Sequence, residues 1–140
     1  MDKRFLISGV AMTIAAALLG FVVHGLLLNA DYAALVPTII RAPEDANHYM
    51  QWMLLADAAI GFGMTWIYRQ GHTVSKSAIG QGLRCGFAVA LVSTIPMFLI
   101  YYAVEPLPGM LVVKQLVFST VQMLLLGVLV ALLNPSPKAG

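Results

Sequence analysis

Four apolar runs, Phe5–Leu28, Tyr49–Tyr68, Cys85–Val104 and Leu111–Leu133, take up most of this chain. A hydrocarbon core of ~30 Å needs about 20 mostly apolar residues in a helix, and each run meets that length. An open sheet would leave backbone groups unpaired in lipid, so helices are the spanning choice. The sequence therefore predicts an all-α fold, an integral membrane four-helix transmembrane bundle forming one domain over residues 1–140. With 60% hydrophobic and 10% charged residues, the chain is too apolar for an ordinary soluble domain.

The placement of charge orients the bundle. Lys3, Arg4, Arg69, Lys76, Arg84 and Lys138 fall at the N-terminus, the second loop and the C-terminus. Only Arg41 lies in the opposite loops, beside Asp31, Glu44, Asp45 and Glu105. By the positive-inside rule both termini and the loop around Gln70–Ser77 are expected to be cytoplasmic, with several passes through the membrane between them. The acidic outer face argues against nucleic acid as a partner. Met1–Arg4 has the look of a signal-peptide n-region, but the apolar run continues well past the ~7–15 residues of an h-region. It reads as a retained helix. Cys85 is the single cysteine, and its position predicts a buried, inert thiol.

The first loop, Asn29–Asn47, contains Tyr32-Ala33-Ala34-Leu35-Val36 and Ile39-Ile40, too apolar for a solvated loop. It is expected to rest on the interface or to fold back over the bundle. Pro43-Glu44-Asp45 has the composition of a helix start. The third loop, Glu105–Gly109, holds two prolines and a glycine, which predicts a tight turn and antiparallel neighbours on either side. Ala16 and Gly20 form one small-residue stripe, and Gly82, Gly86 and Ala90 another; such faces let helix backbones approach closely in lipid. Pro96 should bend its helix and free the carbonyl near Val92, unless Ser93, Thr94 or water satisfies it.

Asp57 is the sharpest chemical signal, roughly 12 Å along its helix from Tyr49. An aspartate at such depth costs on the order of 3 kcal/mol even on the forgiving insertion scale, so it should face the bundle or a wet cavity. It is either a proton, cation or ligand site, or a neutral acid pinning two helices together. Gln115, Ser119 and Gln122 form a polar stripe on the last helix, a candidate lining for the same interior. Lys114, just before them, either pairs with Asp57 or snorkels to the interface. His24 lies on the Ala16–Gly20 stripe and should point inward, and Tyr101 stands as a further pocket candidate. A haem or metal reading draws on His24, His48 and Asp45, and Met50 and Met53 add soft ligands suited to copper(I). No cofactor is called for by these residues, and interfacial hydrogen bonding is the favoured explanation of the histidines. Tyr49, Trp52, Trp66, Tyr68, Tyr101 and Tyr102 are explained by aromatic belts at the two interfaces.

The stretch Gly80-Gln-Gly-Leu-Arg84, with Tyr101-Tyr102-Ala-Val-Glu105-Pro-Leu-Pro-Gly109 beyond it, resembles small four-helix bacterial membrane proteins of unknown function. The resemblance implies an inner-membrane location and supplies no activity or site residues. There is no close match to small multidrug exporters, whose embedded glutamate is lacking in helix one; His24 stands there instead. Composition and short loops favour a non-enzymatic accessory or structural subunit, with membrane lipid, a second copy of the chain or other membrane subunits as partners. The alternative is a small solute or ion transporter with an outward-facing pocket around Asp57. A redox protein holding haem, quinone or copper is the third reading.

Overall fold

In a computed structural model the described residues are 2–71, 73 and 77–135, and no strand occurs among them. Lys76 and Lys138, which contribute to the charge bias, and the Ser136-Pro137 part of the final proline stop lie outside the described residues. Helix α1 (Lys3–Gly20) continues directly into a π-helical segment, Phe21–Leu27. Two short helices follow, α2 (Asn29–Ala33) and α3 (Pro43–Ala46), and a 3-10 turn leads into α4 (Met50–Gly71). Helix α5 (Ala78–Val89), a π segment at Ala90–Thr94 and α6 (Ile95–Val104) form one long rod. Helix α7 (Gly109–Leu133) closes the chain.

Three rods are long and apolar enough to cross a membrane: Lys3–Leu27, Ala78–Val104 and Gly109–Leu133. At ~1.5 Å per residue each exceeds a ~30 Å hydrocarbon core. Helix α4 has 22 residues and reaches about 33 Å at the same rise, but Gln51, Asp57, Thr65 and Arg69 make it less apolar than the other three. The outside of the bundle is strongly apolar, with Leu18, Leu55, Val92, Val104 and Leu132 all exposed. Such a surface is stable against lipid and is an aggregation hazard in water.

The rods pair as two hairpins. α1 lies along α4, the α5–α6 rod lies along α7, and contact between α1 and α7 joins the halves. Helix α4 touches α5 and α7 far less, and that imbalance creates the cleft described below. Packing within each hairpin depends on glycine, because lipid supplies no hydrophobic drive for helices to associate. A methyl group on Gly82 would stand 2.5 Å from the Gly127 carbonyl oxygen, and one on Gly61 the same distance from the Thr13 backbone nitrogen. The Gly82–Gly86–Ala90 stripe is thus the face of the α5–α6 rod laid on α7. Ala16 and Ala90 are fully buried in a core with Met12, Met64, Leu126 and Val130.

Most boundaries fall within three residues of the apolar runs, and one departs further. The third rod begins at Ala78, not at Cys85, because Ser77 Oγ accepts the Gly80 N–H at 3.2 Å and caps the helix. Gln81 and Arg84 interrupt the hydropathy there without interrupting the helix. The bend expected at Pro96 takes the form of the preceding π turn, in which the Ile95 N–H bonds to the Ala90 carbonyl. Ser93 Oγ donates to the Val89 carbonyl at 2.6 Å rather than to Val92, since a helical serine reaches the carbonyl four residues back.

The first loop folds back over the bundle. Leu28 and Leu35 are buried against Val23 and Leu111, with Ile39, Ile40 and Leu107 packed around them. At the other end, where both termini lie, the helices are tied by polar contacts. Asn134 Nδ2 donates to Ser8 Oγ at 2.7 Å, and Ser8 meets Thr65 Oγ1 at 3.3 Å. Asp2 caps α1 through the Phe5 N–H at 2.8 Å and receives both Arg69 guanidinium nitrogens, at 3.0 and 2.5 Å.

The Arg69 guanidinium, and then the Phe5 N–H, hold the Asp2 carboxyl well below the usual carboxylate range. A depressed folded-state value means that the contribution to stability is present above the unfolded value, near 4, and is lost as pH falls below it. In an NMR titration, Arg69→Gln is expected to move the Asp2 midpoint upward towards that ordinary value. An unchanged midpoint would show that the cap alone, without the arginine, sets it.

Candidate functional site

Because α4 follows α1 while the α5–α6 rod follows α7, a cleft of about 850 Å³ opens between the two hairpins. Its floor comes from α1 and α7, and its walls from α4 and α6. On α4 the lining runs from Met50 to Ile67, about 25 Å at the helical rise. The open side runs along the flanks of the rods, where Met50, Met53, Ala56 and Ser93 are exposed. Both π segments border the cleft, placing His24 on one side and Ser93 and Thr94 on the other. Such widened turns re-aim side chains and recur at functional sites.

The lining is mostly apolar and unusually rich in methionine: Met50, Met53, Met64, Met97 and Met123, five of the chain's eight. Their unbranched, polarizable thioethers adapt to varied shapes. Polar groups are few. Asp57 lines the cleft and makes no hydrogen bond or ion pair with any described residue. Ser119 is 3% exposed and its hydroxyl has no partner among the described residues. Gln122, 6% exposed, also turns to the cleft. Neither Lys nor Arg lines it.

His24 connects the cleft to the loop above it. Its Nδ1 lies 2.7 Å from the Tyr32 hydroxyl, which receives the Gln115 amide N–H at 3.1 Å. The Tyr32 hydroxyl and His24 Nδ1 share one hydrogen bond, and the imidazole tautomer sets which of the two donates. Burial pushes the Tyr32 phenol above its ordinary value, so it stays protonated at neutral pH. Beside it, Lys114 Nζ makes a forked ion pair with both oxygens of Asp31, each at 2.9 Å.

Of the residues singled out in the sequence, His24, Asp57, Ser119, Gln122, Met50 and Met53 line one cleft. Gln115 is buried behind it and joined to it through Tyr32 and His24. Lys114 pairs with Asp31, not with Asp57. Tyr101 is exposed and stands outside the cleft. His48 is exposed in the 3-10 turn, and Asp45 is held on the surface by Arg41 at 2.8 Å. Among the described residues no group of three His, Cys, Asp or Glu side chains comes together to hold a metal.

Sequence reasoning passed over Asp31, Tyr32, Gly63 and the Thr94–Phe98 wall. A lysine on the first turns of a membrane helix requires an acid nearby, and that requirement was the available signal for Asp31. Pro96, which marks a deformed helix, was the signal for the wall. Comparisons with protein-family models, curated proteins and solved structures find no match to this chain.

Proposed function

We propose that the protein is a four-span membrane protein, with both termini on the cytoplasmic side of the inner membrane, that binds a lipid-soluble small molecule in the cleft between its two hairpins. The carrying observation is a cavity of about 850 Å³ whose apolar walls hold a carboxyl, a hydroxyl and an amide that have no hydrogen-bond partner among the described residues. Its volume falls within the ~300–1,000 Å³ of small-molecule sites, and a few placed polar groups in an apolar lining are their usual composition. With α4 taken as the fourth span, the open flank faces acyl chains, so the ligand enters sideways from the bilayer. This is the carrier reading, with the mouth moved from the bundle's end to its side.

The accessory-subunit reading has less support. It draws on composition and short loops, and the small-residue stripes that could have served self-association face inward: Gly82 and Gly86 lie on Gly127, and Ala16 is fully buried.

Gly63 offers the test. It lines the cleft, and a methyl group built on it meets nothing within 4 Å. Gly63→Leu should therefore fill the cavity while raising helix propensity by about 1 kcal/mol. Protein extracted with its native lipid should carry a small molecule that the variant retains at least about tenfold less well, a loss of ~1.4 kcal/mol in affinity. Equal ligand content in the two preparations, measured by mass spectrometry, would overturn the proposal.

A further inference from the structure

We infer that the ligand of the cleft is a long-chain primary amine, its ammonium held at Asp57 and its chain lying along the methionine-lined wall. The inference rests on the cleft being a binding site and adds the chemistry of its occupant.

Charge is the first step. Asp57 lines a cavity with apolar walls and has no protein partner among the described residues. A carboxyl in such surroundings either keeps its proton or takes an opposite charge against it. Neither Lys nor Arg lines the cleft, the nearby Lys114 is occupied by Asp31, and His24, which does line it, is engaged by Tyr32. A cation that comes with the ligand supplies the missing charge.

Hydrogen bonding is the second step, and it is independent of the first. Ser119 Oγ is buried without a partner among the described residues, and the Gln122 amide, 6% exposed, shares the same lining. A primary ammonium carries three donors and no acceptor. The carboxylate, the hydroxyl oxygen and the amide oxygen are three acceptors. A quaternary ammonium would leave them unsatisfied, and an anion would meet Asp57 with repulsion.

Shape is the third. The cleft extends about 25 Å along α4, and Asp57 stands seven residues from its Met50 end and ten from its Ile67 end. The longer arm, about 15 Å at the helical rise, fits one extended chain running from a polar head at Asp57. Five methionine side chains fit a flexible chain better than a rigid ring system.

The experiment uses the full chain in nanodiscs of zwitterionic lipid, with radiolabelled hexadecylamine and hexadecanol as probes and empty nanodiscs as reference. Wild-type protein should hold hexadecylamine above the reference. Asp57→Asn should lower that retention about tenfold or more and leave hexadecanol unchanged, while Asp57→Glu should keep most of it. Gly63→Leu should lower both probes. If Asp57→Asn holds the amine as well as wild type does, the amine inference falls, while a Gly63→Leu loss still upholds the cleft as a site. If Gly63→Leu changes neither probe, the binding reading falls with it. Hexadecanol retention by Asp57→Asn serves as the folding control, since removing an unpartnered charge breaks no contact.

Discussion

Replacing Gly127 with alanine is expected to force α5 and α7 apart and to lower the unfolding midpoint by roughly 10 °C. A methyl group at this position runs into the Gly82 carbonyl oxygen and stands 2.7 Å from the Gly86 nitrogen and 2.8 Å from its Cα. These are backbone atoms and have no rotamer with which to move away. Overpacking typically costs about 1–3 kcal/mol, and a clash with backbone on the facing helix belongs at the upper end. In a chain of this size ~1 kcal/mol corresponds to about 4 °C. The loss has a second component, because helices in lipid associate through close packing and Cα–H···O contacts, which decay steeply with separation.

Two comparisons sharpen that expectation. Gly86→Ala puts a methyl group against the Met123 carbonyl across the same interface. Once either substitution has separated the helices the second meets less resistance, so the double variant should lose clearly less than the sum. Gly9 is crowded by the Phe62 ring, a side chain that can turn aside, and Gly9→Ala should be milder. Thermal unfolding in one detergent measures all four. A Gly127→Ala midpoint within about 2 °C of wild type, under ~1 kcal/mol, would mean that the interface is looser than its backbone geometry implies.

Much of the helical layout was legible in the sequence because lipid imposes length and apolarity on every rod. The runs at Phe5, Cys85 and Leu111 became three membrane-length helices, and the Pro106–Gly109 turn set the last two side by side. Four-residue spacing identified the Gly82–Gly86–Ala90 face, and the Gln115, Ser119 and Gln122 stripe is buried as its polarity required. What escaped was pairing in space. Hydropathy cannot state that α4 lies along α1 and away from α6, and that choice alone opens the cleft. Nor does it connect Lys114 with Asp31, 83 residues earlier. The π turns are equally hidden, since Phe21–Leu27 has the composition of any apolar helix and becomes distinctive only through its backbone.

Tyr32→Phe is expected to loosen the loop over the cleft while leaving the α5–α7 hairpin untouched. Helix α2 has five residues, far below the ~12–15 at which an isolated helix persists, so tertiary contacts must hold it. Three do: burial of Leu28 and Leu35, the Asp31–Lys114 pair, and the Tyr32 hydroxyl between His24 and Gln115. Removing only the hydroxyl keeps the ring and its stacking on His24, at 5.9 Å between centroids. It strands the Gln115 amide, whose Oε1 is already buried without a partner, and leaves His24 Nδ1 bare. Each stranded buried group costs about 1–3 kcal/mol. Hydrogen exchange at Tyr32 and Leu35, whose N–H groups bond to the Leu28 and Tyr32 carbonyls, should quicken by about ten- to hundredfold, at ~1.4 kcal/mol per decade. Tyr32→Ala, which also loses the ring from the Val23, Leu28 and Leu111 cluster, should cost about 3–5 kcal/mol. Because His24 lines the cleft, either variant should also weaken whatever the cleft holds, although Tyr32 itself does not line it. Faster exchange at the loop with unaltered retention of hexadecylamine would separate the two roles and leave the latch purely structural. Unaltered exchange would show that the apolar contacts and the ion pair hold the loop without the hydroxyl.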